Sequence, residues 1–351
     1  MALSSKTVGK SLVASGLRVA SANNTSSAPK VALLGANGEI GKLLALLLVA
    51  DPNIASLALY HPTGIRRVAA DISQIDSVVN VTGHTEVTGL QEALKNANIV
   101  VIAAEEPRKP GMTNDNFFDT NARLVSYFAA FASAICPSAL VAIITNPVNS
   151  MVPVAVEVFK KKGVYDPNRI FGVTTLDVVR SQVFVKNLKN LAAASCVVPV
   201  IGGHSGKTTI PVFSMVRPKM TFTEDEVKEL TKDIRSDGIA AQAGATPLAA
   251  ASAGARFLRA LVSAVRGYKM TEFAYVYIGD VGEIFSTPIP GVEFFSAAVE
   301  LGPNGVEKIL GLGNLNAYEK KLVAEAIPEL KKEISKGVAF IEASQIVFPK
   351  C

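Results

Sequence analysis

One histidine in the sequence lies in a setting suited to chemistry on a small molecule. His204 follows an apolar run, residues 196–200, and is flanked by Gly203 and, after Ser205, by Gly206. The run predicts a buried strand, and the glycines let the backbone turn sharply and approach a ligand closely. An imidazole at the end of a strand can face a pocket, with a loop histidine of no function as the alternative.

The same stretch does not match a phosphate-binding P-loop. Gly206, Lys207 and Thr208 resemble the end of that motif, which needs another glycine five residues before its second one. Ile201 occupies that position, so the spacing argues against nucleoside triphosphatase chemistry.

A second cluster, residues 31–41, has the order of strand, glycine turn and helix that binds dinucleotides. Gly35 would permit the tight turn, and Gly38 would let a pyrophosphate approach N–H groups at the helix start. Gly41 would allow the helix to pack closely on the strand. Within an alternating α/β domain, this spacing predicts a dinucleotide cofactor.

The residue expected to bind the adenosine ribose is unusual. The fingerprint predicts an acidic residue about twenty positions further on, but His61 follows the second apolar run. An imidazole offers at most one acceptor, so a bidentate ribose contact is lost. Arg66 and Arg67 could face a 2′-phosphate, which leaves NADP open beside NAD, or could lie on a solvated helix.

Three further segments carry polar residues at positions that predict ligand contact. Residues 145–149 follow an apolar run, so their polar groups would lie at the carboxyl edge of a sheet, near a cofactor. Asp177 and Arg180 are three residues apart, which places them on one side of a helix. Arg108 lies in a loop, residues 107–113, whose prolines and glycine suit a hinged lid.

The elements that must position these residues form an alternating pattern in the first half of the chain. The predicted strands are residues 31–34, 57–60, 98–103 and 139–144. The predicted helices are residues 39–50 and 116–135, the second with Asn116 as its cap. Continuous apolar strands separated by helices predict a parallel sheet covered on both faces.

The second half of the chain has an α+β pattern. Its predicted helices are residues 176–188, 224–236, 248–265 and 316–334, and its predicted strands are residues 273–278, 283–288 and 292–299. Pro328 should kink the last helix. The fold class that follows is α/β, with an N-terminal Rossmann domain, a doubly wound parallel sheet, before a C-terminal α+β domain.

Positive charge is concentrated at the N-terminus. The net charge of the 351 residues is +5, but residues 1–30 contain four cations, seven serines and no acid. This composition predicts a mitochondrial transit peptide over residues 1–28, with a disordered tail as the alternative. The rest of the chain is nearly neutral and lacks a basic stripe interleaved with aromatic residues, which argues against a nucleic-acid partner.

The cysteines and the apolar runs limit the cellular compartments in which the protein is expected. The three cysteines are far apart, so they form no metal-ligand spacing and indicate a reducing compartment without structural disulfides. The longest purely apolar run, residues 43–50, is too short to span a bilayer, so no membrane association is expected. With the leader, these features predict the mitochondrial matrix.

Taken in order, the motifs resemble those of mitochondrial-type malate dehydrogenases, within the lactate/malate dehydrogenase family. They are residues 31–41, 107–113, 145–149, 171–180 and 202–208, and the resemblance covers essentially the whole chain after residue 29. It implies an NAD-binding domain over residues 29–172 and a catalytic and dimerisation domain over residues 173–351. It also implies a homodimer that transfers a hydride between L-malate and oxaloacetate.

The resemblance further implies a role for each matching residue. His204 would exchange the substrate hydroxyl proton, and Asp177 would fix its tautomer and stabilise the imidazolium. Arg180 would hold one substrate carboxylate and Arg108 the second, which favours a four-carbon diacid. Asn114 and Asn146 complete the implied substrate contacts. The implied cofactor contacts are Gly35, Ala36, Asn37, Gly38, Glu39, Ile40, Gly41, His61, Asn121, Ile144, Thr145, Asn146 and Ala250.

The sequence departs from the family pattern at four ligand-facing places. His61 replaces the ribose-binding acid, and Glu105 replaces a glycine beside the pyrophosphate. Asn114 replaces a second lid arginine, a loss that typically costs on the order of 3–4 kcal/mol, or about 10²–10³ in rate. Arg123 is a candidate substitute for that cation. The fourth departure is the loop at residues 244–247, where the family has a Ser/Thr-bearing segment.

These departures leave alternatives to an NAD-dependent malate dehydrogenase. One is a 2-hydroxyacid dehydrogenase with another substrate or a preference for NADP. Another is a non-catalytic paralogue retained as a structural or dimerising subunit. A nucleotide- or RNA-binding module on a Rossmann scaffold is the remaining one, and the near-neutral charge after the leader argues against it.

Overall fold

A parallel sheet organises the first half of the chain. The computed structural model describes residues 28–106, 111–192, 196–236, 246–279, 289–311 and 313–349. The parallel strands are β1 (Lys30–Leu34), β2 (Ser56–Tyr60), β3 (Asn80–His84), β4 (Ile99–Ile102), β5 (Leu140–Ile143) and β6 (Ile170–Gly172). Their order is β3-β2-β1-β4-β5-β6, which is that of a doubly wound sheet with its crevice between β1 and β4.

Helices connect these strands and cover the sheet. They are α1 (Glu39–Val49), α2 (Ile65–Ile72), α3 (Glu86–Leu94), α4 (Asn114–Ile135) and α5 (Val148–Lys162). Every residue of β4 and β5 is buried, as expected for strands covered on both faces. The continuous apolar runs in the sequence therefore have a direct structural cause.

The second half extends the same sheet with antiparallel strands. After α6 (Thr175–Leu188), the strands are β7 (Val200–Gly202), β8 (Thr209–Pro211), β9 (Met270–Tyr277), β10 (Phe294–Gly302) and β11 (Gly305–Ile309). β6 pairs with β9, β9 with β10, and β10 with both β7 and β11. At the far edge of the sheet, β7 also pairs with β8 in an antiparallel arrangement. The strand that precedes His204 therefore belongs to the sheet itself.

Three long helices complete this half: α7 (Glu224–Ser236), α8 (Pro247–Val265) and α9 (Ala317–Glu342). α9 begins with a capping box, because the Asn316 side chain accepts from the N–H of Glu319 while the Glu319 carboxylate accepts from the N–H of Asn316. By length and composition α8 could cross a membrane, yet 56% of its apolar window is buried inside the fold. Its apolar composition is thus explained by packing.

Several predicted boundaries are wrong. The strand predicted at residues 196–200 is β7, displaced to Val200–Gly202, and Val197 only forms an isolated bridge with Arg217. α4 begins two residues before Asn116, because Thr113 is the cap and its side chain accepts from the Asn116 N–H. The last helix continues past residue 334 to Glu342 and includes Pro328. The predicted strand at residues 283–288 lies outside the described residues.

Candidate active site

His204 and Asp177 form a short hydrogen-bonded pair at the end of β7. Gly202 has a φ of +98°, and a Cβ there would lie 2.1 Å from the Thr208 carbonyl oxygen, so the turn requires glycine. Nδ1 of His204 is 2.6 Å from Oδ2 of Asp177, in the first turn of α6, and the two side chains are 15% and 5% exposed. A carboxylate at Nδ1 favours the neutral tautomer whose lone pair is on Nε2.

Arg180 lies one turn after Asp177 on α6, as the spacing predicts. Its Nη2 donates a hydrogen bond of 3.0 Å to Oγ1 of Thr246, immediately before α8. Gly244 and Ala245, in the same divergent loop, lie outside the described residues. The fold therefore brings the His204–Asp177 pair, a guanidinium and one hydroxyl of that loop into neighbouring positions.

The structure places part of the predicted lid. Arg108 lies outside the described residues, whereas Asn114 is the first residue of α4 and is exposed. Arg123, the candidate substitute cation, is also exposed and lies further along α4. Both described residues of this group are thus accessible at the surface.

The glycine fingerprint forms the predicted turn between β1 and α1. Gly35 has a φ of +94°, and a Cβ there would lie 2.5 Å from Cα of Ala104 after β4. A Cβ on Gly41 would lie 2.2 Å from the Gly35 carbonyl oxygen, which explains the close approach of α1 to the turn. Gly38 is the N-cap of α1 and provides no side-chain cap. The first-turn N–H groups have no acceptor within the helix, as an anion site requires; they belong to Glu39, Ile40 and Gly41.

The carboxyl ends of β4 and β5 are joined by polar side chains. Oγ1 of Thr145 donates to the Ala104 carbonyl at 2.8 Å. Asn121, fully buried on α4, donates through Nδ2 to the Asn146 carbonyl at 3.0 Å and accepts from the Glu106 N–H at 2.9 Å. Three residues predicted to contact ligands, Asn121, Thr145 and Asn146, therefore form one connected edge.

Glu105 occupies this edge as well. Its Oε2 lies 3.3 Å from the backbone N of Asn146 and 3.2 Å from Nδ2 of the same residue. The amide predicted to bind substrate is therefore already a donor to a carboxylate of the protein. Since the preceding residue, Ala104, touches the Gly35 turn, this negative charge lies beside the predicted pyrophosphate site.

The remaining predicted cofactor residues lie after β2, after β5 and at the start of α8. His61 directly follows β2, and its Nδ1 lies 2.8 Å from the Thr63 carbonyl oxygen and 3.2 Å from the Thr63 nitrogen. Ile144 follows β5 and its side chain faces Gly254 of α8, while Ala250 lies in the first turn of α8. Arg66 and Arg67 are exposed on α2.

Sequence reasoning missed a polar cluster behind His204. Asn149, 1% exposed at the start of α5, accepts the His204 backbone N–H through Oδ1 at 2.9 Å. Its Nδ2 lies within 3.1 Å of acceptors on Ser205, Thr208 and Glu333. Asn149 belongs to a segment already identified as polar, but Glu333 sits among the charges of a long helix and carries no sequence signal.

Comparison with known proteins matches both halves of the chain to one family. The lactate/malate dehydrogenase NAD binding domain model matches residues 29–172, and the model of the alpha/beta C-terminal domain of the same family matches residues 174–341. Similar proteins include a mitochondrial malate dehydrogenase of Caenorhabditis elegans, 52% identical over 98% of this chain and all of that protein. That of Rattus norvegicus is 44% identical over 94% and 97% of the two chains.

Solved structures give the same fold. The apo malate dehydrogenase of Picrophilus torridus superposes with a TM-score of 0.78 at 21% identity, covering 90% of this chain and 99% of that one. A Cryptosporidium parvum lactate dehydrogenase, in complex with lactic acid and nicotinamide adenine dinucleotide, gives a TM-score of 0.73 at 22% identity, with 90% and 99% covered. The predicted order of a Rossmann half followed by a C-terminal half of helices and antiparallel strands is therefore confirmed.

Proposed function

The chain belongs to the lactate/malate dehydrogenase family, and from that premise we propose that it is an NAD-dependent enzyme interconverting L-malate and oxaloacetate. The observation that carries this proposal is the 2.6 Å contact between His204 and Asp177, with Arg180 one turn further along α6. This arrangement supplies a proton acceptor and a carboxylate-binding cation together, as oxidation of a 2-hydroxy acid requires. Neither a structural paralogue nor an RNA-binding module is favoured by the relatives.

The chain's own residues account for the proton chemistry. His204 takes the hydroxyl proton of malate at Nε2 while the C2 hydride leaves, and it returns that proton when oxaloacetate is reduced. Asp177 holds the ring by Nδ1 and stabilises the positive charge that forms on it. The pair is largely shielded from water, which strengthens this electrostatic support.

Substrate recognition is assigned to cations and amides around that pair. Arg180 would hold the C1 carboxylate through two parallel hydrogen bonds, and Arg108 would meet the second carboxylate. Asn146 would donate to the substrate, and Asn114 lies where a further lid contact is expected. The hydrogen bond from Arg180 to Thr246 supports this assignment, because it directs the guanidinium toward a loop expected to face the substrate.

The residues of the first half fit a nicotinamide dinucleotide. The crowded backbone at Gly35 and Gly41 leaves no room for side chains, and the first turn of α1 presents N–H groups for a pyrophosphate. When bound, NAD supplies the hydride acceptor or donor. We assign its binding to the fingerprint together with the edge beyond it, comprising Gly35, Ala36, Asn37, Gly38, Glu39, Ile40, Gly41, His61, Asn121, Ile144, Thr145, Asn146 and Ala250.

Turnover of the purified full-length chain tests the proposed function. Oxaloacetate with NADH should give a loss of nicotinamide absorbance, and NADPH should support a slower reaction. His204→Asn should abolish turnover, and Asp177→Asn should lower kcat by roughly 10²- to 10⁴-fold, because the ring loses its orienting carboxylate. No turnover of oxaloacetate or other 2-oxo acids with either cofactor would refute the enzyme.

Domain organisation and location follow as further proposals. We assign residues 29–172 to cofactor binding, residues 173–351 to catalysis and dimerisation, and residues 1–28 to a transit peptide directing the chain to the mitochondrial matrix. The mitochondrial names of the relatives support this location. A fluorescent protein fused after residue 28 should enter mitochondria and resist protease added to intact organelles. A cytosolic signal would contradict the leader.

A homodimer is the proposed assembly. α1 and α6 both pack against α8, and large apolar side chains on these helices remain exposed: Leu46, Val183, Leu188 and Leu248. Apolar side chains clustered on adjoining helices suit an interface with a second copy. Light scattering should give twice the chain mass, and Leu46→Glu combined with Val183→Glu should give the monomer mass. A wild-type monomer would exclude this assembly.

A further inference from the structure

A carboxylate on the C-terminal helix faces the back of the catalytic loop. Glu333 of α9 accepts from Oγ of Ser205 at 2.8 Å on Oε1 and 3.1 Å on Oε2. Its Oε2 also accepts from Nδ2 of Asn149 at 2.8 Å. Its backbone carbonyl accepts from Oγ of Ser150 at 2.8 Å. Both its carboxylate and its backbone are therefore fixed against α5 and the His204 loop.

This carboxylate is one residue removed from the catalytic base by two routes. Ser205 directly follows His204 in the chain, and Asn149 accepts the His204 N–H through Oδ1 while donating to Glu333 through Nδ2. A Cβ on Gly203 would lie 2.6 Å from Nδ2 of Asn149, so the loop packs on this amide without a gap. The carboxylate is thereby linked through hydrogen bonds to the backbone that carries the imidazole.

Keeping a carboxylate here costs the fold free energy. Burial raises the pKa of Glu333 above its usual value, although the hydrogen bonds from Asn149 and Ser205 oppose that rise. Glu329 and Lys332 on α9 and Tyr275 on β9 are the other titratable groups around it. Since the folded-state pKa is raised, the penalty is fully present above that pKa and shrinks as the pH falls from it to the pKa of the unfolded chain. A neutral side chain would serve stability better.

We propose that Glu333 is a positioning residue for His204. It does not touch the substrate; it fixes the loop through Ser205 and Asn149, and its negative charge supports the imidazolium formed during catalysis. The kinetic consequence of this proposal rests on the proposed malate dehydrogenase activity. The consequence for the imidazole itself does not, because the ring titrates whether or not the chain turns over substrate.

Glu333→Gln removes the charge and keeps the shape. We expect kcat for malate oxidation to fall roughly 5- to 30-fold, the effect of losing one charge-assisted hydrogen-bonded link. KM for malate should stay unchanged, because Arg180 and the lid are untouched. The melting temperature above neutral pH should hold or rise, because a buried charge is removed. Glu329→Gln is the matched control: it lies one turn earlier on α9, 3.8 Å from Lys332, and should leave kcat unchanged.

The titration of His204 provides the deciding measurement. The chain contains only three histidines, so ¹³C-labelled imidazole signals can be resolved by NMR and that of His204 assigned by its loss in His204→Asn. Glu333→Gln should move the midpoint of the His204 titration to lower pH by a few tenths of a unit, because a nearby negative charge is gone. Glu329→Gln should move it less.

Ser205→Ala breaks the same link from the loop side and covers the case in which Glu333→Gln folds poorly. Its effect on kcat and that of Glu333→Gln should not multiply in the double variant, because both act through one contact. An inactive wild-type chain would refute the proposed function, and the NMR midpoint would still decide this inference. An unchanged midpoint, or a loss of kcat that only follows a loss of melting temperature, would overturn the positioning role.

Discussion

Replacing Glu105 should relieve a competition for the substrate amide. Its carboxylate accepts from both the backbone N and Nδ2 of Asn146, at 3.3 and 3.2 Å. A substrate carboxylate that binds the same amide must share Nδ2 with this negative charge. We therefore expect Glu105→Gly and Glu105→Gln to lower KM for oxaloacetate, with kcat less affected, because the charge opposes binding before chemistry begins.

The size of this effect follows from the geometry of the amide. Two acceptors on the two hydrogens of one NH₂ group, each about 3 Å away and about 120° apart, place their oxygens about 5 Å from each other. Two negative charges at that separation repel by about 0.8 kcal/mol in water and about 3 kcal/mol at an effective dielectric constant of 20. Because Glu105 is partly exposed, solvent screens this repulsion. We therefore expect a repulsion of about 1–2 kcal/mol, which corresponds to a change of roughly 5- to 30-fold in KM.

Steady-state reduction of oxaloacetate measures this change, with NADH varied in a second series because the same charge lies beside the pyrophosphate turn. Glu105→Gln separates charge from bulk, since it keeps the side chain's size. Glu224→Gln, at a 93% exposed position on α7, controls for the loss of one negative charge anywhere in the chain. If both substitutions at Glu105 leave KM for oxaloacetate and NADH at wild-type values, the repulsion argument is wrong.

Further predictions concern the lid, the ribose site and acid stability. Asn114→Arg should raise kcat/KM by about 10²–10³, the value of one preorganised donor, whereas Asn116→Arg in the same helical turn should not. A kcat/KM for Asn114→Arg equal to that of the wild type would refute the role assigned to the missing lid arginine. His61→Asp should lower KM for NADH roughly tenfold by restoring two charged acceptors for the ribose, and a dissociation constant from NADH fluorescence checks it. Burial lowers the pKa of His84, so the unfolded chain binds that proton more tightly and stability is lost as the pH falls below about 6.5. Urea midpoints should therefore drop less between pH 7 and 5 in His84→Gln than in the wild type.

The sequence was most informative where a pattern had one structural solution. The predicted strands at residues 31–34, 98–103 and 139–144 are apolar throughout except for Asn98, and they form β1, β4 and β5 with boundaries shifted by at most one residue. The glycine fingerprint predicted the crowded turn at Gly35 and Gly41, because no other residue fits those backbone positions. The i,i+3 spacing likewise predicted the neighbouring positions of Asp177 and Arg180 on α6.

Patterns failed where several local solutions compete. β3 (Asn80–His84) is partly exposed at the sheet edge and lacks an apolar run, so no strand was predicted there. Thr113 rather than Asn116 caps α4. The sequence could not distinguish the two, because both residue types can accept a backbone N–H at the start of a helix. The strand before His204 includes Gly202, whose positive φ and two-stranded pairing no apolar pattern could indicate.

The contacts proposed to control the activity were the hardest to predict from the sequence, because they join segments far apart in the chain. Asn146 and Glu105 are 41 residues apart, and Asn149 and Glu333 are 184 apart. Composition identified each of these segments as polar or charged but could not pair one donor with one acceptor. These pairings divide the proposed site in two. In the first half, Glu105 accepts hydrogen bonds from Asn146, which is proposed to bind substrate. In the second half, Glu333 holds the loop of His204, which is proposed to exchange the substrate proton. Because Glu105 and Glu333 bond to different amides, Asn146 and Asn149, we expect substitutions at Glu105 to change affinity and substitutions at Glu333 to change rate.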